Sequence, residues 1–189
     1  MAARAGLTRT DVVAEAVAML DEGTRLGDVS LGALARRLGI RPQSLYAHVD
    51  GTEGLARAVA VAGLDQLGAT VTEAAIGTGG VDAVTAIVRA HLAFARRRPA
   101  LYEAAIHPPG DDPELLRAVE AAGSPLELVL TSMGVGPADR VHWTRLFLAS
   151  VHGFTVLHRS GRFTLPVDVA DSEERLVGML TSALVVVPA

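Results

Sequence analysis

The chain has no cysteine, no lysine, few aromatic side chains and no long apolar run. The lack of cysteine excludes disulfides, thiolate metal sites and cysteine nucleophiles. No uninterrupted apolar stretch approaches the roughly 18 residues of a membrane span, and the N-terminal arginines are not followed by the apolar segment of a secretory signal. We therefore expect a soluble protein that stays in the cytoplasm and has no membrane partner.

The patterns of a catalytic centre are missing as well. The six histidines form no His-x-x-x-His pair and have no acidic residues clustered with them, so the usual spacing of a metal site is absent. No Gly-x-Ser-x-Gly nucleophile elbow occurs. The sequence therefore predicts a protein that is not an enzyme and needs neither a metal nor another cofactor.

The charge balance is close to neutral in the first part of the chain. Residues 1 to 57 contain seven arginines against seven acidic residues, and residues 58 to 189 contain ten against fourteen. Nucleic-acid-binding domains are often strongly basic, and this chain is not. A role on nucleic acid must therefore depend on where individual arginines lie.

The stretch from Ser30 to His48 carries the clearest chemical pattern. Its first part predicts a short helix with Ser30 as N-cap and with one apolar face formed by leucines and an alanine at positions 31, 34, 35 and 38. Gly39 is the residue type that ends a helix in the left-handed conformation, and Pro42 is a favourable first residue of a new helix. The pattern predicts two helices joined by a tight turn.

The second of these helices has a polar outer side. Leu45 and Val49 are four residues apart and can pack inward. The remaining side chains can donate hydrogen bonds to base edges or phosphate oxygens; they are Arg41, Gln43, Ser44, Tyr46 and His48. The helix has the size of one that lies in a DNA major groove, although spacing alone is equally compatible with an ordinary surface hairpin.

The residue order resembles the DNA-binding domain of the TetR family of bacterial transcriptional regulators. The likeness covers Thr8 to Leu55 and consists of TRTDVVAEAVAMLDEG, VSLGALARRLGI, RPQSLYAHVDG and a fourth helix that starts near EGLARAV. The core LYAHV is its most specific part. The resemblance implies a helix-turn-helix domain in which the third helix reads the DNA.

The resemblance also implies roles for individual residues. Base-contact positions of the family are occupied by Arg41, Pro42, Gln43 and Tyr46, and phosphate-contact positions by Ser44 and His48. Thr52 replaces a lysine that begins helix four in many relatives, which increases the dependence on arginines 36 and 37, and Gly32 replaces a side chain that reaches a base in some relatives. The full expected DNA-binding set is Ser30, Arg36, Arg37, Arg41, Pro42, Gln43, Ser44, Tyr46, His48 and Thr52.

The whole chain is predicted to be all-α with about nine helices. After the helix-turn-helix, a fourth helix is expected from Thr52 or Glu53 to about residue 75. The helices expected after it, in chain order, are 81–98, a short helix around Leu101, 113–122, 125–133, 138–159 and 171–186. Arginines 96 to 98 are expected to place favourable charge at a helix C-terminus. We predict a DNA-binding domain over residues 1–55, with helix four continuing to about 75 as a connector, and a ligand-binding and dimerisation domain over 56–189.

The last two helices have more apolar surface than one small domain needs. In the TetR family the corresponding pair docks against its two-fold mate as a four-helix bundle, so the resemblance implies a homodimer. The residues VHGF at 151–154 and GRF at 161–163 resemble a C-terminal variant of the family named for a Trp-His-Gly motif, with Val151 in place of the tryptophan.

The helices between Val81 and Phe154 are expected to enclose a pocket for a small effector. Such walls are mostly apolar with a few polar groups, and the shortage of acidic residues there favours a neutral or anionic, largely apolar compound. Each candidate is also compatible with plain core packing. The candidates are His91, Phe94, Tyr102, His107, Met133, Trp143, Phe147 and His152.

These expectations combine into one function. We predict a DNA-binding transcriptional regulator, specifically a repressor released from a palindromic double-stranded operator by a small hydrophobic effector. Repression, as opposed to activation, follows from the family resemblance alone. The alternative is a helical protein-interaction module that has no specific operator.

Overall fold

The computed structural model describes residues 6–186, with side chains described through residue 184. These residues form nine α-helices and no strand, which confirms the predicted all-α class. Two short 3₁₀ segments lie at Leu26–Asp28 and Ala183–Val186. The helices are α1 (Arg9–Asp21), α2 (Leu31–Leu38), α3 (Pro42–Leu45), α4 (Gly51–Ala75), α5 (Gly80–Arg97), α6 (Pro99–Ala105), α7 (Pro113–Ser132), α8 (Pro137–Arg159) and α9 (Val169–Ser182).

Several helix ends follow directly from their capping residues. Thr8 caps α1 in a reciprocal arrangement with Asp11, whose carboxylate accepts hydrogen bonds from the amide and hydroxyl of Thr8. Ser30 caps α2, and Gly39 ends it at a φ of 69°. Asp112 accepts from the amides of residues 114 and 115 at the start of α7. Local capping chemistry therefore sets these boundaries as the sequence predicts.

Helix α7 differs from the prediction of two helices over 113–122 and 125–133. It is one helix of 20 residues with Pro125 inside it. Proline has no amide to donate to the carbonyl of Ala121, four residues earlier. The hydroxyl of Ser124 donates to that carbonyl instead, at 3.0 Å. The serine supplies a local replacement for the missing bond, so the helix continues past the proline.

The chain divides into two compact units. The first comprises the described residues up to Gln66 together with Arg98–Val119, and the second comprises Leu67–Arg97 and the described residues from Glu120 onward. The boundary between these units therefore differs from the predicted functional boundary near residue 55, which lies within α4. Segment 98–119 packs with the first unit.

Each unit has its own apolar core. Large side chains that are at most 2% exposed in the first unit include Val12, Leu34, Leu45, Leu55 and Leu101. In the second unit they include Val84, Ile87, Val88, Leu130 and Val151. Burial of such side chains supplies the main favourable term in the folding of each unit.

Two of the three arginines at positions 96 to 98 form ion pairs with named carboxylates, in addition to placing positive charge near the end of α5. Arg96, in the last turn of α5, pairs with Glu173 at 2.9 Å in the second unit. Arg98 pairs with Asp21 at 2.5 Å and donates to the side-chain oxygen of Gln66 in the first unit. The expected solvated cluster is thus replaced, at these two positions, by defined ion pairs.

No helix within residues 6–186 combines the length and the apolar character needed to cross a membrane.

Candidate nucleic-acid interface

The two helices α2 and α3 form a compact corner because their inner faces are buried together. Leu34, Ala35, Leu45 and Val49 are each at most 5% exposed. After Gly39, the amide of residue 40 donates to the carbonyl of Ala35 at 3.0 Å, which closes the turn. This geometry confirms the predicted helix-turn-helix pattern from Ser30 onward.

The outer side of the corner is accessible to solvent. Tyr46 is 62% exposed, and the four residues before Leu45 are also exposed; these are Arg41, Pro42, Gln43 and Ser44. His48 is half-buried. The structure therefore brings the sequence-predicted residues of the third helix to one accessible surface.

Helix α3 is shorter than predicted. It ends at Leu45, and residues 46 to 48 form a turn. The amide of Tyr46 donates to the carbonyl of Gln43, three residues earlier, although the amide of Val49 still reaches the carbonyl of Leu45 at 3.0 Å. This tightening is common at helix ends, where the last carbonyls have no regular partner. Tyr46 and His48 consequently project from a turn and not from a regular helix.

Neighbouring arginines on α2 have different surroundings. Arg36 is exposed and makes no ion pair with any described residue. Arg37 donates from Nε to Glu15 Oε1 at 2.5 Å and from Nη2 to Glu22 Oε1 at 2.9 Å. Hydrogen bonding to these carboxylates raises the pKa of Arg37, and the same bond lowers the pKa of the Glu22 carboxyl. Arg37 therefore ties α2 to α1.

Sequence reasoning did not identify the two glutamates that bind Arg37. Part of a signal was available, because Glu15 in α1 and Glu22, the C-cap of α1, are seven residues apart and therefore lie on one side. Two carboxylates on one stripe favour a shared basic partner on the next helix.

Two hydroxyls flank the same surface. The Ser30 oxygen accepts from the amide of Ala33 at 3.1 Å, so its own O–H remains able to donate outward. Thr52 is exposed in the first turn of α4, which begins at Gly51, whose φ is 68°. Both residues can therefore offer neutral donors, as the sequence predicted for Thr52.

In the second unit, an aromatic and histidine cluster occupies the interior. The rings of His91 and Phe147 meet edge to face with centroids 5.6 Å apart. Burial, together with the nearby charge of His152, lowers the pKa of His91 to about 4. Phe147 and Trp143 line a cavity of about 10 Å³, which is at most the room for one water molecule.

Comparison with known proteins identifies the chain. The family model described as "Tetracyclin repressor-like, C-terminal domain" matches residues 84–180, which include the motifs at 151–154 and 161–163. An uncharacterized HTH-type transcriptional regulator of Mycobacterium tuberculosis, Rv0681, is 34% identical over 160 residues, which is 83% of this chain and 72% of the relative. The chain belongs to the TetR family of transcriptional regulators.

Two further similarities extend over almost the whole length of this TetR-family chain. The HTH-type regulator YobS of Bacillus subtilis is 29% identical over 190 residues, which is 98% of this chain and 97% of the relative. The crystal structure of a possible TetR family transcriptional regulator from Streptomyces coelicolor has the same fold, with a TM-score of 0.72 at 17% identity over 95% of this chain and 100% of that one. The protein is a DNA-binding regulator and not an enzyme.

The expected effector residues of this TetR-family regulator do not all lie in one unit. His91, Trp143, Phe147 and His152 are in the second unit, with Phe94 buried on α5 and Met133 half-buried after α7. Tyr102 is buried in the first unit, and His107 is exposed there. Sequence reasoning missed the apolar wall of the small cavity, which repeats at helical spacing; it comprises Val84, Leu126, Leu130, Leu180 and Leu184.

Helix α8 exposes an apolar face. Leu146 and Leu157 are 55% and 43% exposed. Ala149, Gly153 and Leu157 follow Leu146 by three, seven and eleven residues, so all four residues lie on the same side of the helix. A β-carbon added at Gly153 would meet no atom within 4 Å. This face is therefore both apolar and open to close approach by another helix.

Proposed function

We propose that this TetR-family regulator is a homodimeric repressor that acts in the cytoplasm on a palindromic DNA operator. The observation that carries the proposal is the exposed row of hydrogen-bond donors on and after α3. Residues 1–55 form the reading domain in this proposal, α4 connects it to the remainder, and the remainder binds effector and dimerises.

The proposed contacts divide into those that read bases and those that fix position on the backbone. Arg41, Pro42, Gln43 and Tyr46 are assigned to base edges in the major groove, where a guanidinium or amide can form paired hydrogen bonds. Phosphate contacts, which supply affinity without sequence information, are assigned to Ser30, Arg36, Ser44, His48 and Thr52. Arg37 has its guanidinium bound to Glu15 and Glu22, so we assign it to the positioning of α2.

The exposed apolar faces of α8 and α9 support the homodimer. Besides the α8 face, Met179 of α9 is 58% exposed. To bind a two-fold operator, a dimer that buries such faces must present two reading surfaces about 34–36 Å apart, which is one turn of DNA. The operator is therefore expected to contain two inverted half-sites.

The cluster around His91 is the proposed effector site. Its cavity of about 10 Å³ holds no drug-sized molecule, so binding requires the surrounding side chains to move apart. His91 is neutral near pH 7 because its pKa lies at about 4, and the wall is apolar. The apolar wall favours a largely apolar compound, and the lack of an acidic residue among the described residues that line the cavity favours a neutral or anionic compound over a cation. It can release DNA only to the extent that it binds the two conformations with different affinity.

The test of DNA recognition is selection of genomic fragments by the purified protein at two salt concentrations, since phosphate contacts make affinity salt-dependent. We expect an enriched palindrome. Absence of any enriched sequence at low salt would contradict the proposal and favour the protein-interaction module.

Tyr46→Ala then tests the reading surface directly. We expect operator affinity to fall about fivefold or more while non-specific binding is retained, because a base contact contributes roughly 1–3 kcal/mol. Leu128→Ala is the matched control, since Leu128 is exposed to a similar degree, 69% against 62%, and is on α7. Equal affinities of the two variants in a fluorescence-anisotropy titration would remove Tyr46 from the interface.

The effector proposal is tested with a panel of hydrophobic carboxylic acids and neutral compounds. Compounds that bind the protein are expected to lower operator affinity. If none of the bound compounds changes DNA affinity, release by an effector is wrong.

A further inference from the structure

The first unit contains a groove between α1 and α4 that is separate from the residues of the proposed effector site. It has a volume of about 430 Å³, which is within the range of small-molecule sites. Its floor is apolar and is formed by two helix faces; the residues are Val13, Ala14, Val17, Ala58, Val61 and Ala62.

At one end of the groove, an arginine and a glutamate neutralise each other. Arg9 donates from two guanidinium nitrogens to the two carboxylate oxygens of Glu114, at 2.8 and 3.1 Å. This hydrogen bonding lowers the pKa of the Glu114 carboxyl and raises that of Arg9. Both charges are therefore ionised and matched to each other, and this end has no charge left to pair with a ligand.

The other end of the groove carries a single negative charge. Asp65 lines it, is exposed, and makes no ion pair with any described residue. The neighbouring side chain, Gln66, accepts from Arg98. Among the charged residues of the wall, Arg9 and Glu114 cancel, so the carboxylate of Asp65 gives the groove a net charge of one unit negative.

The distance between the two ends limits the ligand. Seven residues separate Ala58 from Asp65 along α4, which corresponds to about 10 Å. An apolar body of that length covers the valines and alanines of the floor and removes their surface from water. A positive group at one end of that body then reaches Asp65.

We propose that this groove is a second ligand site, which takes a small amphipathic cation whose apolar body lies between α1 and α4 and whose ammonium group pairs with Asp65. The site goes beyond the proposed release by an apolar effector, because it requires a ligand of opposite charge preference and uses residues of the first unit alone. It stands whether or not the second unit binds an effector.

The experiment is a titration of the full-length protein with hexyltrimethylammonium, followed by methyl NMR of valine and alanine. We expect saturable shifts at Val13, Val17 and Val61. Asp65→Asn should weaken binding about two- to fivefold, since exposed ion pairs make modest contributions. Glu73→Gln is the matched control, because Glu73 is also exposed on α4 without an ion pair to a described residue and does not line the groove; its affinity should equal that of the parent.

A second variant tests the groove without touching the charge. Ala62→Leu keeps a good helix former on α4 and places its side chain in the space that the ligand body needs, so we expect the methyl shifts to disappear. The proposal is overturned if the parent shows no saturable shifts, if Ala62→Leu binds the cation as tightly as the parent, or if hexan-1-ol binds as tightly as the cation.

Discussion

Arg36 and Arg37 provide a matched pair for measuring phosphate contacts. Both are on α2, but Arg36 makes no ion pair with a described residue, whereas Arg37 is bound to Glu15 and Glu22. Each phosphate contact contributes about 0.9 to the slope of log affinity against log salt. In a two-fold dimer Arg36→Gln removes two contacts, so the slope should decrease in magnitude by about 1.8.

The corresponding change in affinity is large enough to measure. Between 50 and 200 mM salt, the parent should lose about tenfold more affinity than Arg36→Gln, as the slope difference requires. Arg37→Gln should keep the parent slope, because its guanidinium is committed to the two glutamates. It should also lower the urea midpoint of unfolding, since it leaves two carboxylates facing each other.

The assay is fluorescence anisotropy on the selected operator at four or more salt concentrations. A slope for Arg37→Gln that is reduced as much as that of Arg36→Gln would refute the reasoning, because it would mean that Arg37 leaves its glutamates to bind phosphate.

Three further predictions follow from packing and charge. Gly63→Ala should lower the free energy of unfolding by about 1 kcal/mol, because the new β-carbon would lie 3.0 Å from the carbonyl oxygen of Leu101. Gly123→Ala should raise the free energy of unfolding by about 0.5–1 kcal/mol, because a β-carbon there would have no atom within 4 Å. Urea titration measures both changes, and changes of the same sign would contradict the packing argument. Burial holds the pKa of His91 at about 4, below its unfolded value of about 6.5, so the free energy of unfolding should decline by on the order of 3 kcal/mol between pH 6.5 and pH 4. His91→Leu should abolish that decline, and the same decline in the variant would exclude His91 as its source. Gly153→Leu should dissociate the proposed homodimer in analytical ultracentrifugation without unfolding the subunit, and an intact dimer would place the α8 face outside the interface.

The helix boundaries that could be predicted are those with local causes. Thr8, Ser30, Gly39 and Asp112 act within three or four residues of the sequence, so capping rules suffice to locate them. Pro125 illustrates the limit of such rules. Proline normally ends a helix, and only the position of the Ser124 hydroxyl shows that the carbonyl of Ala121 is satisfied.

The sequence predicts which residues form the candidate DNA-binding surface, but it does not predict what every one of them binds. Exposure of Gln43 and Tyr46 follows from the inward pattern of Leu45 and Val49, because neither position lies on the inward stripe that those two residues define. The partner of Arg37 depends instead on how α1 crosses α2, which is a property of the tertiary fold. A charged side chain near a DNA-reading helix can therefore serve the fold and not the DNA.

The serine–proline pair in α7 also affects how that helix opens. A regular helix transmits protection along an unbroken series of amide-to-carbonyl bonds. At Pro125 the series lacks one amide and is joined by the hydroxyl of Ser124, while Leu126 and Leu130 on the far side are buried. We therefore expect the last turns of α7 to remain protected from hydrogen exchange when the turns before the proline open, so that this continuous helix unfolds locally in two parts.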